Sequence, residues 1–88
     1  MIDITQVLAE RGSRYGRFEH HAHIAQTLKI TMADTPGWQR LSADQRESLE
    51  MIQHKIARIL NGDPNYADNW IDIAGYSTLI TQRLGQQA

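Results

Sequence analysis

Residues 42–62 read SADQRESLEMIQHKIARILNG, and residues 66–84 read YADNWIDIAGYSTLITQRL. In the first stretch Leu49, Ile52, Ile56, Ile59 and Leu60 recur at the three- and four-residue spacing of one helix face. Ser42, with Gln45 three residues on, forms a capping box in which each side chain satisfies a free backbone N–H of the other. Gly62 is expected to stop the helix in the left-handed conformation, with Pro64 just after it. In the second stretch the main stripe is Tyr66, Trp70, Ile73, Ala74, Ser77, Thr81 and Leu84, with Ile80 alongside. The turn between them, from Asn61 to Asn65, is short enough to make the two helices antiparallel neighbours.

Working outward, Phe18, His21, Ala25, Leu28 and Met32, with Ile24 beside them, predict a further helix over about 18–32. Thr35-Pro36-Gly37-Trp38 breaks the chain after it, with Trp38 and Leu41 expected to plug the end of the bundle. A short first helix is capped by Asp3, has Val7 and Leu8 as contacts, and should end at Gly12. No segment alternates with period two and ends in hairpin turn chemistry. The expectation is an all-α fold: one domain over 1–88, a small antiparallel bundle of about four helices.

Gly75 is expected to be the only glycine inside a helix, where it costs about 1 kcal/mol against alanine. It lies in a second, narrower stripe, Ile71-Gly75-Leu79. Either this helix is buried on two sides, against its own bundle and a second protomer, or the glycine is tolerated on an exposed face.

The chain has 88 residues, no cysteine, nine Lys+Arg, ten Asp+Glu and a formal net charge of −1. A domain this short buries only roughly 60–65% of its unfolded surface, so stability is thin without help. Lack of cysteine excludes disulfides and thiolate metal sites, which leaves assembly into a homo-oligomer as the expected support. The charge balance argues against binding nucleic acid by bulk electrostatics. Met1-Ile2-Asp3-Ile4 lacks a basic segment followed by an apolar run, and no apolar stretch approaches the roughly 20 residues of a membrane span. A cytoplasmic location, away from any membrane, is the expectation.

Several polar groupings could carry chemistry. Glu47 and Glu50, with His54 and Arg58, share the side of the third helix away from its apolar stripe. Carboxylates at i, i+3 can chelate a hard cation such as Mg²⁺, which takes few carboxylates plus water and phosphate oxygens. The same residues could equally form a solvated face with weak surface pairs. Asp68, Asn69, Asp72 and Tyr76 lie together on the fourth helix, where Asp72 and Asn69 could meet Lys55 or Arg58. That meeting would be a structural salt bridge or a pocket for a metal-bound phosphate. Arg14-Tyr15-Gly16-Arg17 could stack a base and hold a phosphate, or pack Tyr15 beneath solvated arginines. His20 and His23 share a side but have no third ligand, and His21 is expected in the core with one hydrogen bond.

Arg14-Tyr15-Gly16, the start of the second helix at His20, His23, Ile24 and Ala25, and the runs 49–60 and 68–76 resemble a family of short, uncharacterised phage and prophage proteins. The most specific part is KIARI at 55–59 followed by D-x-W-x-DIAGY at 68–76. More distantly, the arrangement is similar to the all-α nucleotide pyrophosphatases of the MazG and dimeric dUTPase type. Those are oligomeric helical bundles in which an ExxE and an ExxD motif hold Mg²⁺ against nucleotide phosphates. The resemblance implies Glu47, Glu50 and Asp72 as catalytic residues, with Asp68 as a further metal ligand. It implies Arg14, Tyr15, Lys55, Arg58, Asn69 and Tyr76 as nucleotide-binding residues. Asn69 stands where the first acid of the second motif would be, which weakens the metal site. Two readings follow. One is a nucleotide-handling phage accessory protein, a Mg²⁺-dependent pyrophosphatase or its non-catalytic relic, in the host cytoplasm. The other is a non-catalytic protein that binds a host protein or sequesters a nucleotide signal.

Overall fold

The computed structural model describes residues 3–86, so Met1 and Ile2, read above for leader character, lie outside the described residues. Asp3 Oδ1 accepts from the Thr5 N–H at 3.0 Å and opens α1, Ile4–Tyr15. The helix runs past Gly12, where a Cβ would meet nothing, and stops at Gly16 instead. Gly16 has φ 76°, a conformation that side chains with a Cβ disfavour. Arg14 and Tyr15, beyond the helix end expected at Gly12, therefore lie in the last turn of α1. α2 follows over Phe18–Ala33, and Pro36–Arg40 forms one tight 3₁₀ turn. α3 spans Ala43–Asn61 and α4 spans Ala67–Gly85. Among the described residues there is no strand, and no helix is long and apolar enough to cross a membrane.

α3 is the central rod. It starts with the expected capping box, in which Gln45 Oε1 accepts from the Ser42 N–H at 3.0 Å. α4 lies along one side of it, tied by Ser48 Oγ donating to the Tyr76 carbonyl at 3.0 Å and by Lys55 Nζ to Asp72 Oδ2 at 3.0 Å. At the far end Arg83 forks onto Asp44, its Nε 2.6 Å from Oδ2, so the C-terminus of α4 is held to the N-terminus of α3. α2 lies along the opposite side, and α1 crosses the end of the α2–α3 pair. Trp38 sits under the Arg46 guanidinium, 5.9 Å from its ring centroid, as the 3₁₀ turn folds back on α3.

The stripes expected to be core are mostly not buried. On α3, Ile52 and Ile59 are half-buried, while Leu49, Ile56 and Leu60 are exposed. On α4 it is Asn69, Ile73, Tyr76 and Ile80 that turn toward α3, and Trp70, Ser77, Thr81 and Leu84 are exposed. On α2, His21 and Ala25 are buried as expected, but Phe18 is 77% exposed. The reason is geometric: α3 has neighbours on two roughly opposite sides, and its apolar stripe points between them. Gly75 is not alone inside a helix, since Gly12 lies within α1, and neither glycine is crowded.

Gly62 differs from expectation. Its φ of −133° is not left-handed. Glycine is required there because a Cβ would fall on the Arg14 carbonyl, where the Asp63 N–H donates to that oxygen at 2.6 Å. Gly62→Ala should therefore cost about 1–3 kcal/mol through overpacking, lowering the thermal midpoint by several degrees. Gly12→Ala, in open space mid-helix, should gain up to about 1 kcal/mol. Thermal melts of the two variants check the contrast, and equal effects would refute the close approach.

Candidate functional site

The C-terminal half of α1, the first turn of α2 and the outer side of α3 enclose a cavity of about 460 Å³. Its polar wall is Arg11, Arg17, Glu19, His21, His54 and Arg58, and its apolar wall is Leu8, Tyr15 and Phe18. The sequence explains the placement. His54 and Arg58 are one helical turn apart on α3, and Leu8, Arg11 and Tyr15 follow one another at three and four residues on α1.

Arg58 lies over the Tyr15 ring, 4.1 Å from its centroid. Tyr15 meets Tyr66 edge-on at 6.2 Å, and Arg14 lies over Tyr66 at 4.9 Å while donating to its hydroxyl at 3.4 Å. Tyr66 in turn donates to Asp68 Oδ2 at 2.9 Å, which raises its own pKa. Two guanidiniums and two rings thus couple α1, α3 and the start of α4. Arg17 is paired with Glu19 at the cavity rim. Among the described residues, Arg11 and Arg58 have no carboxylate within ion-pair distance, so the cavity carries uncompensated positive charge.

Two imidazoles form its floor. His21 and His54 meet edge to face at 4.7 Å, and His21, only 7% exposed, has no hydrogen-bond partner for Nδ1. The core histidine with one satisfied nitrogen that the sequence suggested is thus a buried one with an open nitrogen. Burial, and then Arg58, push its pKa down. His54 is pushed down to about 4, chiefly by burial, then by Arg58, His21, Lys55 and Lys29.

The carboxylates do not converge. Glu50 reaches back to Lys29 on α2 at 3.8 Å, and Glu47 is exposed beside it. Asp72 pairs with Lys55 on the α4 side of α3, and Asp68 holds Tyr66. Among the described residues no three of His, Asp or Glu gather where they could hold a metal ion. The expected metal set of Glu47, Glu50, Asp68 and Asp72 is thus not assembled within the chain, because Glu50 and Asp72 emerge on opposite sides of α3. Within one chain these separated carboxylates do not fit a shared Mg²⁺ site.

The expected nucleotide-binding set divides. Tyr15 and Arg58 line the cavity, and Arg14 stands behind them on Tyr66. Lys55, Asn69 and Tyr76 lie in the α3–α4 seam, where Asn69 is 1% exposed and cannot touch a ligand. Arg11, Phe18, His21 and His54 belong to the cavity instead. The repeat of Leu8, Arg11 and Tyr15 could have revealed Arg11, had α1 been read beyond Gly12.

Fold and cavity together define an all-α domain with a cationic, aromatic-lined cavity. Within that class, the chain belongs to the family described as domain of unknown function DUF6378, which matches residues 4–84. No curated protein and no solved structure matches it.

Both imidazoles are neutral in the folded chain at pH 7. Once unfolded, a histidine takes up its proton near pH 6.5, so between about 6.5 and 4 the unfolded state binds more protons. Stability should therefore fall as pH falls from 6.5 toward 4. Asp44, held near 2 by Arg83 and Ser42, adds little to the slope in that range. Thermal midpoints taken from pH 7.5 to 4.5 should decline, and His54→Gln should flatten the decline. An unaltered slope would clear His54 of the effect.

The Lys55–Asp72 pair gives a second test. Lys55 is almost wholly buried and Asp72 half-exposed. Asp72→Asn strands the ammonium and should destabilise by roughly 1–3 kcal/mol. Lys55→Met, which keeps the packing and removes the charge, should cost less. Chemical denaturation of the two variants reads the difference, and the reverse order would contradict a structural pair.

Proposed function

We propose that this chain is a nucleotide-binding accessory protein of the phage type, working as a homo-oligomer and holding its ligand without turning it over. The observation that carries this is the cavity in which Arg58 is fixed over Tyr15, with His21 and His54 also lining it. A nucleotide has the matching parts. Its phosphates suit the unpaired guanidiniums of Arg11 and Arg58, which bind phosphate in planar, bidentate fashion. Its base suits the exposed ring of Phe18 and the apolar edge at Leu8. About 460 Å³ falls within the range of cavities that enclose small ligands. Binding is favoured over metal-assisted turnover because the carboxylates of one chain do not gather to hold a metal ion beside the cavity.

The alternative, capture of a host protein, is favoured by one feature: Ile71 and Leu79 flank the uncrowded Gly75 on an exposed strip of α4.

Calorimetric titration with a panel of ribo- and deoxyribonucleotides, with and without Mg²⁺, tests the proposal, alongside an assay for released pyrophosphate. Binding without release is expected. Arg58→Ala should weaken affinity by about tenfold or more, the equivalent of one lost charge-assisted hydrogen bond. Glu47→Ala should leave affinity unchanged. If no nucleotide binds, the reading fails; if pyrophosphate appears and Glu50→Gln abolishes it, the protein is a catalyst after all.

A further inference from the structure

Among the described residues the only buried hydrophobic side chains are Ala25 and Ala57, while His21, Ser48, Gln53, Lys55 and Asn69 are buried polar ones. The larger apolar residues face out. The chain exposes 6432 Å² of surface, against about 5,200 Å² expected of a compact monomer of its 10.0 kDa mass. Its radius of gyration is 15.3 Å, where about 12 Å is usual for this length. The excess, roughly 1,200 Å², is what each copy contributes to an obligate homodimer interface of the smaller kind.

Among the described residues, five of the eleven exposed large hydrophobics, Leu49, Ile56, Leu60, Trp70 and Leu84, lie on one face or at its edge. On α3, Leu49, Ile52 and Ile56 follow a three-four heptad alternation, and Ile59 continues it. On α4, Trp70, Ile73, Ser77, Ile80 and Leu84 follow the same alternation. Leu49 and Ile52 border one groove of about 270 Å³ together with Ser77 and Ile80, so both rows share one face of the α3–α4 hairpin. Neither row contains a charged residue. Trp70 is 55% exposed and Leu60, at the edge of the face, 68%.

We infer that this face is the seam of an isologous dimer, in which the α3–α4 hairpins of two copies close into a four-helix bundle. A two-helix hairpin with heptad rows on one face is half of such a bundle, and the matching half is another two-helix hairpin of the same periodicity. An uncharged face suits a second copy, because any charge on a self-complementary patch near the two-fold axis would meet its like. The drive is burial of Leu49, Ile56, Trp70 and Leu84, apolar side chains of this face that one copy leaves exposed. This gives the assembly part of the proposed function a definite surface, while standing independently of the ligand. The Ile71-Gly75-Leu79 strip lies on the other flank of α4 and stays outside the seam.

Light scattering after size exclusion should give twice the 10.0 kDa chain mass, and the thermal midpoint of the unmodified protein should rise with protein concentration. Ile56→Asp and Trp70→Asp should each yield monomer or collapse the fold, while Leu79→Asp should remain a folded dimer. A monomeric mass with a concentration-independent midpoint overturns the inference. So does a dimer that survives Ile56→Asp and Trp70→Asp but dissociates with Leu79→Asp. Nucleotide titration of the same samples reports on the pocket separately, so either reading can fail alone.

Discussion

Asn61 closes α3, and its Nδ2 donates to the carbonyls of Tyr15 at 2.8 Å and Arg17 at 3.0 Å. Those two carbonyls flank Gly16, the point where α1 hands over to α2. Two residues further on, the Asp63 N–H reaches the Arg14 carbonyl beside Gly62. Two carbonyls freed by the end of α1, those of Arg14 and Tyr15, and the carbonyl of the α2 N-cap Arg17 are thus bonded from the end of α3 and the turn after it, where backbone groups without partners would be costly. α1 makes few other contacts with the rest of the chain, so this junction holds it in place. With α1 placed, Tyr15 lies under Arg58 and Leu8 and Arg11 face α3. The cavity exists because these two loops are stitched together, and glycine at 16 and 62 is what lets them approach.

Polar groups occupy the interior that apolar groups would normally fill. Ser48, Lys55 and Asn69 lie in the α3–α4 seam, and His21 and Gln53 are buried around α2 and α3. Some of their atoms are satisfied, as with Ser48 on Tyr76 and Lys55 on Asp72. Others are open: both side-chain polar atoms of Gln53 and the Nδ2 of Asn69 have no partner within the chain. A small domain built this way draws little stability from hydrophobic burial. The apolar seam along α3 and α4 is where the missing burial would be recovered.

The electrostatics of the two sides of α3 also differ. Toward α4 each charge is answered, Lys55 by Asp72 and Arg83 by Asp44. Toward α1 and α2, Arg58 has a ring rather than a carboxylate, and burial, followed by the Arg58 charge, lowers the pKa of two neighbouring imidazoles. An anion arriving there would meet fixed positive charge in a partly desolvated space, where it counts for more than at an open surface. This asymmetry leaves the unpaired positive charge on the α1–α2 side of the helix and the paired charges on the α4 side.

Helix content, the antiparallel α3–α4 hairpin, the Asp3 cap and the Ser42–Gln45 box were all legible in the residues, because caps and periodicity are local and depend on near neighbours in the chain. Lys55 meeting Asp72 was legible for the same reason, as a short turn brings the two helices side by side. Which face of each helix turns inward was not. Periodicity marks an apolar stripe as destined for burial but is silent on whether the chain's own helices or another surface cover it. For the same reason Glu50 and Asp72, paired on paper, stand on opposite sides of α3, and His21 and His54, which looked unrelated, touch. The sequence determined the rods and their caps through local energetics; the azimuth of each rod, and hence the site, was decided only when α1 and α2 packed against one side of α3 and α4 against the other.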